Sequence, residues 1–116
     1  MRIGVAGVGR IGAFHAQTLR DLPFVESVVL ADAMPGAAER VAGELGVEHA
    51  ADVDALLAGG IDGFVIATAT PAHAPLLRAG VAAGIPTFCE KPVAGTLEES
   101  IDLVRLEQQT DVPIHI

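Results

Sequence analysis

The feature that most constrains the fold is the alternation, along the whole sequence, of short apolar runs with longer segments whose apolar residues recur at helical spacing. Such alternation is typical of a parallel sheet, because a helix-length crossover joins each pair of neighbouring parallel strands. We therefore predict an α/β fold built on a doubly wound, mainly parallel sheet of about six strands, with helices on both faces.

Turn and capping signals bound the predicted elements. Strands are expected at residues 2–6, 25–32, 47–50, 61–67, 86–90 and 113–116, and helices at residues 10–22, 35–45, 52–58, 72–83 and 97–109. Thr96 with Glu99 forms a capping box, and Thr70 is placed as an N-cap ahead of Pro71. The first helix carries larger apolar residues along one side, namely Ile11, Phe14, Leu19 and Leu22.

Length and composition limit the possible functions. The 116 residues suffice for one domain, residues 1–116. Lys and Arg total 7 and Asp and Glu total 15, which gives a net charge of −8 without the basic cluster that nucleic acid or an anionic membrane surface would require. No apolar run approaches the roughly 18 residues of a membrane span. A single cysteine, Cys89, and the absence of a signal peptide favour a cytoplasmic location.

A glycine-rich turn follows the first predicted strand. Gly7, Gly9 and Gly12 form the pattern G-x-G-x-x-G, in which Arg10 and Ile11 precede the last glycine. Gly7 permits a tight turn, Gly9 lacks a Cβ that would block a pyrophosphate, and Gly12 allows the helix to pack closely on the strand. The N–H groups that begin the helix then face the phosphates. The alternative is that these glycines serve packing alone.

An acidic residue at the end of the second predicted strand bears on the choice of dinucleotide. Asp32 lies 20 residues beyond Gly12 and can accept hydrogen bonds from both hydroxyls of an adenosine ribose. This carboxylate repels a 2′-phosphate of charge near −2 at about 5 Å by roughly 2–7 kcal/mol, at effective dielectrics of about 80 to 20. We therefore expect NAD to be preferred over NADP, unless Arg40 reaches the phosphate. The alternative is that Asp32 only caps the following helix.

Two more segments follow buried strands, at the edge of the sheet where ligands of doubly wound proteins bind. Thr68, Thr70 and Pro71 follow the fourth strand, where small residues allow a cofactor close to the backbone. His73 lies one turn into the next helix, where it either faces the nicotinamide side or lies on the helix surface.

After the fifth predicted strand, Glu90, Lys91 and Pro92 place an acid beside the only lysine of the chain. Partial burial would suit Lys91 to acid–base chemistry, and it could bind a substrate hydroxyl or the cofactor ribose. The alternative is a solvated lysine paired with Glu90. Cys89 is expected to be an inert core thiol, and no metal site is expected because the His and Cys residues lack ligand spacing.

These motifs together resemble the amino-terminal half of the Gfo/Idh/MocA oxidoreductases, a family that includes inositol dehydrogenases. The residues that carry the resemblance are the glycine turn, His15, Asp32, the segment Thr70–His73 and the segment Glu90–Pro92. The resemblance implies a Rossmann-type domain that binds a nicotinamide cofactor. It also implies hydride transfer to or from a hydroxyl-bearing carbon of a sugar, cyclitol or related polyol, with Lys91 contacting substrate and cofactor near that carbon.

The resemblance also indicates what lies outside these residues. The family's catalytic Asp and His belong to a second α/β domain that has no counterpart here. We therefore expect the 116-residue chain to bind NAD but to turn over little, and to form homo-oligomers only with that second domain. Two other functions are compatible with the motifs: a non-catalytic dinucleotide-sensing or regulatory module, and a domain of the same fold that binds a flavin nucleotide or an adenosyl cofactor.

Overall fold

The computed structural model describes residues 1–116, in which strands and helices alternate. The strands are β1 (Arg2–Ala6), β2 (Ser27–Ala31), β3 (Glu48–His49), β4 (Gly63–Ile66), β5 (Thr87–Cys89) and β6 (Ile114–His115). The helices are α1 (Arg10–Arg20), α2 (Ala37–Leu45), α3 (Val53–Leu57), α4 (His73–Ala82) and α5 (Leu97–Gln108). A short 3₁₀ turn, Thr70–Ala72, leads into α4. Every predicted strand and helix is therefore present, with ends that differ by a few residues.

The six strands form one parallel sheet in the order β3-β2-β1-β4-β5-β6. From β1 the chain winds outward to β3, crosses back to place β4 beside β1, and then winds outward in the other direction to β6. The direction of winding therefore reverses between β1 and β4, and the loops that follow these two strands diverge to opposite faces of the sheet. A crevice at this point is the usual ligand site of a doubly wound sheet.

Two apolar cores lie on opposite faces of the sheet, because successive side chains of a strand alternate between its faces. On one face, Val5 of β1 and Leu30 of β2 belong to a core that includes Ala16 of α1 and Val41 of α2. On the other face, Ala6 belongs to a core that includes residues of α3, α4 and α5, among them Leu56, Leu77 and Leu103. The predicted arrangement of helices on both faces is confirmed.

The buried side of α1 differs from the predicted apolar stripe. Gly12 and Ala16 are the buried residues of this helix, whereas Ile11 and Phe14 are 46% and 64% exposed. A Cβ on Gly12 would collide with the carbonyl oxygen of Gly7. Because the helix begins this close to the turn, only small side chains fit beneath its first turns. Ile11 and Phe14 remain at the surface, whereas Leu19 packs against the core as predicted.

The two predicted caps have different outcomes. The Thr96 hydroxyl accepts a hydrogen bond from the Glu99 N–H at 3.1 Å, so α5 begins as predicted. Thr70 is not an N-cap, because the backbone leaves its extended conformation one residue earlier, at Ala69, and Thr70 lies inside the 3₁₀ turn. None of the helices combines the length and the apolar character needed to cross a membrane.

Candidate functional site

An open cleft of about 770 Å³ lies where the winding of the sheet reverses. The turn after β1 contributes Gly7 and Gly9 to its wall, the loop after β2 contributes Asp32, and the segment after β4 contributes Thr68. These residues come from three loops at the carboxyl ends of neighbouring strands. Four of the residues singled out from the sequence therefore share one cavity.

The three glycines of the turn have different surroundings. Gly7 has a φ of +92°, and a Cβ built on it would lie 2.6 Å from the carbonyl group of Ala67 and 2.7 Å from the Thr68 nitrogen. Both Gly7 and Gly12 are therefore required by the packing of the turn. Gly9 has an ordinary φ of −66°, and no atom of the chain lies within 4 Å of the position of its missing Cβ. The absence of a side chain at Gly9 thus leaves space in the cleft instead of serving the fold.

The start of α1 presents backbone donors at the cleft. Gly9 is the N-cap of the helix and supplies no side-chain hydrogen bond, and no acidic residue occupies the first turn. The N–H groups of Arg10, Ile11 and Gly12 therefore have no partner within the helix. Such a set of N–H groups at the positive end of a helix dipole suits a phosphate group.

Asp32 connects two of the loops that surround the cleft. Its Oδ2 accepts a hydrogen bond from the Val8 N–H, and its Oδ1 accepts one from the Met34 N–H, both at 2.8 Å. The alternative that Asp32 caps the next helix is wrong, because the N-cap of α2 is Gly36. A carboxylate has about four acceptor positions, so each oxygen of Asp32 retains capacity for a ligand hydroxyl.

The residues after β4 divide between the cleft and its surroundings. Thr68 lines the cleft, together with Ala69 and Ala72, whereas Thr70 and Pro71 do not. The His73 ring is 1% exposed, so the alternative of a helix-surface histidine is wrong. Its Nδ1 lies 2.7 Å from the Pro92 carbonyl oxygen and its Nε2 lies 3.0 Å from that of Thr68, and the ring is absent from the cleft wall.

The residues after β5 form a second group beside the cleft. Glu90 Oε1 lies 2.5 Å from Nε2 of His15 on α1, and this hydrogen bond holds the pKa of Glu90 below its ordinary value of 4.5. His15 also packs edge-on against Phe88, with ring centroids 5.8 Å apart. The alternative of a Lys91 side chain paired with the Glu90 carboxylate is therefore not realised. Lys91 is exposed instead of partly buried, because it leaves the sheet at the surface.

The remaining candidates lie outside the cleft. Cys89 is fully buried, and burial followed by the nearby charge of Glu90 raises the pKa of its thiol to about 11, which makes it the inert core thiol that the sequence predicts. Arg40 is exposed, and its guanidinium lies 3.4 Å from Glu44 on the same helix. No group of three His, Cys, Asp or Glu side chains is close enough to hold a metal ion.

Sequence reasoning missed the apolar wall of the cleft. Its larger members are Met34, Pro35, Val53, Pro75 and Leu76. They come from three separate segments, so no single motif marks them. Met34 and Pro35 directly follow Asp32, and this adjacency was the one signal available in the sequence.

Comparison with known proteins is consistent with this arrangement. The model of the Gfo/Idh/MocA family, described as an oxidoreductase family with an NAD-binding Rossmann fold, matches residues 1–116. Myo-inositol dehydrogenase Hyg17 of Streptomyces leeuwenhoekii is 39% identical over 117 residues, which cover 100% of this chain and 36% of that protein. Inositol 2-dehydrogenase of Rhizobium meliloti is 43% identical over 80% of this chain and 28% of its own length.

A solved structure shares the fold as well. UDP-N-acetylglucosamine 3-dehydrogenase GnnA of Acidithiobacillus ferrooxidans superposes with a TM-score of 0.83 at 34% identity, over 98% of this chain and 37% of that one. The chain thus spans between 28% and 37% of the length of these relatives. With the family model matching every residue, the chain belongs to the Gfo/Idh/MocA oxidoreductase family and corresponds to its NAD-binding Rossmann domain.

Proposed function

We propose that this chain is the cofactor-binding part of an NAD-dependent dehydrogenase that acts on a hydroxyl-bearing carbon of a cyclitol, sugar or related polyol. The observation that carries the proposal is the convergence of Gly7, Gly9, Asp32 and Thr68 on one cleft at the switch point of the sheet. The inositol dehydrogenases among the relatives support this class of substrate.

The residues of the cleft fit a dinucleotide in three respects. The space beside Gly9 accommodates a pyrophosphate, and the free N–H groups of Arg10, Ile11 and Gly12 donate to it. Asp32 accepts from the hydroxyls of the adenosine ribose. The apolar wall formed by Met34, Pro35 and Leu76 suits an adenine ring. When bound, the nicotinamide ring accepts or returns a hydride.

Asp32 favours NAD over NADP within this proposal. A 2′-phosphate would lie beside a carboxylate, with the repulsion of roughly 2–7 kcal/mol given above. Arg40 is the basic residue that could offset this repulsion, but it pairs with Glu44 and does not line the cleft. NADP should therefore bind more weakly than NAD.

Lys91 is proposed to contact the substrate and the cofactor ribose from the end of β5. Its side chain is exposed at the surface, where a second domain could reach it. That domain would supply the proton-transferring base, the other substrate contacts and the surfaces for homo-oligomers. The present residues alone should therefore bind the cofactor without measurable polyol oxidation.

Calorimetric titration of the chain with NADH and NADPH at one ionic strength tests the proposal. We expect NADPH to bind at least about tenfold more weakly, a gap of about 1.4 kcal/mol. The variant Asp32→Asn removes the negative charge and should narrow this gap, whereas Asp62→Asn, which removes an exposed carboxylate outside the cleft, should leave it unchanged. Equal affinities for the two nucleotides in the unmodified chain would contradict the role assigned to Asp32, and binding of neither would contradict the assignment of the cleft.

The alternative function is a non-catalytic dinucleotide-sensing module. The two functions differ at Lys91, which the dehydrogenase needs for turnover and a sensing module does not need. The relatives at this level of similarity carry dehydrogenase names, which favours the enzyme. The same titration with a flavin nucleotide and an adenosyl cofactor tests the other alternative, and tighter binding of either of these than of NADH would favour it.

A further inference from the structure

A buried histidine ring, that of His73, lies between the segment that follows β4 and the segment that follows β5. His73 is the first residue of α4 and is 1% exposed. Its two ring nitrogens face two backbone carbonyl oxygens, that of Pro92 at 2.7 Å and that of Thr68 at 3.0 Å. These carbonyls belong to the segments that follow β5 and β4, so a single side chain joins the two segments.

The two segments differ in the function proposed for them. Thr68 lines the nucleotide cleft, whereas Pro92 directly follows Lys91. We propose that His73 is a positioning residue that fixes the lysine-bearing segment Glu90–Pro92 relative to the cleft. This inference rests on the proposed function, in which the nucleotide binds in the cleft and Lys91 contacts the substrate and the cofactor ribose.

The contacts of the ring suit it to hold backbone. Carbonyl oxygens only accept hydrogen bonds, and a neutral imidazole has a single N–H, so the neutral ring donates to one carbonyl while the protonated ring donates to both. The protonated ring therefore hydrogen-bonds both segments, whereas the neutral ring hydrogen-bonds one of them and only packs against the other. Its own position is fixed because the neighbouring Ala74 and Leu77 of α4 are buried in the core.

The lysine-bearing segment is also held from its other end. Glu90 accepts a hydrogen bond from His15 of α1, and its N–H donates to the Ile66 carbonyl of β4 at 2.9 Å. Lys91 thus lies between a residue held through its side chain and a residue held through its carbonyl. No hydrogen bond or ion pair engages its exposed ammonium group, so the restraints on the flanking residues act on the backbone position from which the Lys91 side chain extends.

Two conservative variants separate the two contacts of His73. The amide nitrogen of Asn lies near the position of Nδ1, so His73→Asn retains a donor for Pro92 and loses the contact with Thr68. The amide nitrogen of Gln lies near the position of Nε2, so His73→Gln retains the donor for Thr68 and loses the contact with Pro92. A general loss of packing at His73 would affect both variants in the same way.

Two measurements on this chain report the two contacts independently. The affinity for NADH, measured by calorimetry, reports the Thr68 side. Reductive methylation with ¹³C-formaldehyde gives one lysine signal in the NMR spectrum, because Lys91 is the only lysine, and this signal reports the Pro92 side. Lys91→Arg assigns the signal by removing it.

We expect opposite patterns for the two variants. His73→Asn should keep the Lys91 signal in place and weaken NADH binding by about three- to tenfold, the range that follows from the loss of one hydrogen bond. His73→Gln should keep the NADH affinity and move the Lys91 signal. The corresponding changes at His49, which is exposed on the edge strand β3 and does not line the cleft, should alter neither measurement.

Equal effects of His73→Asn and His73→Gln on both measurements would overturn the inference, as would the absence of any effect. Failure of the unmodified chain to bind NADH would instead refute the proposed function. In that case the response of the Lys91 signal to the two variants still tests the link between His73 and the lysine-bearing segment.

Discussion

At the residue scale, the glycine turn combines two requirements that look identical in the sequence. A Cβ on Gly7 would collide with the segment after β4, and a Cβ on Gly12 would collide with the carbonyl group of Gly7, so the fold requires both glycines. Gly9 has an ordinary backbone conformation and open space around the position of a Cβ, so the fold does not require a glycine there. The structure therefore separates two glycines that the fold requires from one that the fold does not require, and the proposed function assigns this third glycine to nucleotide binding.

This separation predicts different results for two alanine variants. Gly12→Ala forces a methyl group against the Gly7 carbonyl and should destabilise the domain by about 1–3 kcal/mol. Gly9→Ala should change the free energy of unfolding by less than about 1 kcal/mol but weaken NADH binding at least about tenfold, because its methyl group enters the cleft. Thermal unfolding and calorimetric titration of both variants check these expectations. A Gly9→Ala variant that binds NADH normally would mean that the glycines serve packing alone.

At the element scale, contacts between distant segments hold the loops that carry the site. His15 on α1 reaches Glu90 after β5, and His73 on α4 reaches Thr68 and Pro92. The His15–Glu90 pairing joins residues 75 positions apart along the chain, and the His73–Pro92 pairing joins residues 19 positions apart. The carboxyl end of the sheet is therefore held by side chains in addition to the parallel strand pairing.

The His15–Glu90 pair predicts a pH dependence of stability. The pKa of Glu90 is lower in the folded state, so its contribution is present above pH 4.5 and is lost as the pH falls through the folded-state pKa. Glu90→Gln removes this titration. Between about pH 5.5 and pH 3, the unmodified chain should lose about 1 kcal/mol more stability than the variant, the usual contribution of one hydrogen bond. Urea unfolding at each pH measures the difference.

The control for this comparison is Glu107→Gln, which changes an exposed glutamate on α5 whose side chain has no hydrogen-bond or ion-pair partner. This control should follow the unmodified chain at every pH. Identical pH profiles of Glu90→Gln and the unmodified chain would contradict the stabilising role of the pair.

The elements were predictable from sequence to a greater extent than the contacts between them. Strand and helix positions follow from local periodicity, and the glycine pattern locates the turn before α1. The burial of His73 and the exposure of Phe14 were not predictable, because each depends on the distance between segments that meet only in the folded sheet. The apolar wall of the cleft was missed for the same reason, since its residues come from separate loops.

At the scale of the whole molecule, the order of the strands determines where a ligand can bind. The reversal between β1 and β4 brings together the turn after β1, the loop after β2 and the segment after β4. A second cavity of about 290 Å³ lies at the opposite edge of the sheet and is lined by charged residues that include Arg20, Glu26 and Glu48. Its lining of two glutamates and one arginine carries a net negative charge, which is unsuited to a dinucleotide.

The location of NADH binding, measured from amide signals in ¹H–¹⁵N NMR spectra of the chain, tests most directly whether the cleft beside the glycine turn is the nucleotide site. We expect the amides of Gly9, Arg10 and Ile11 to shift as NADH is added, together with that of Met34, while those of Glu26 and Glu48 remain in place. Shifts confined to the opposite edge of the sheet, or saturation binding that leaves the amides of the glycine turn unchanged, would contradict this assignment.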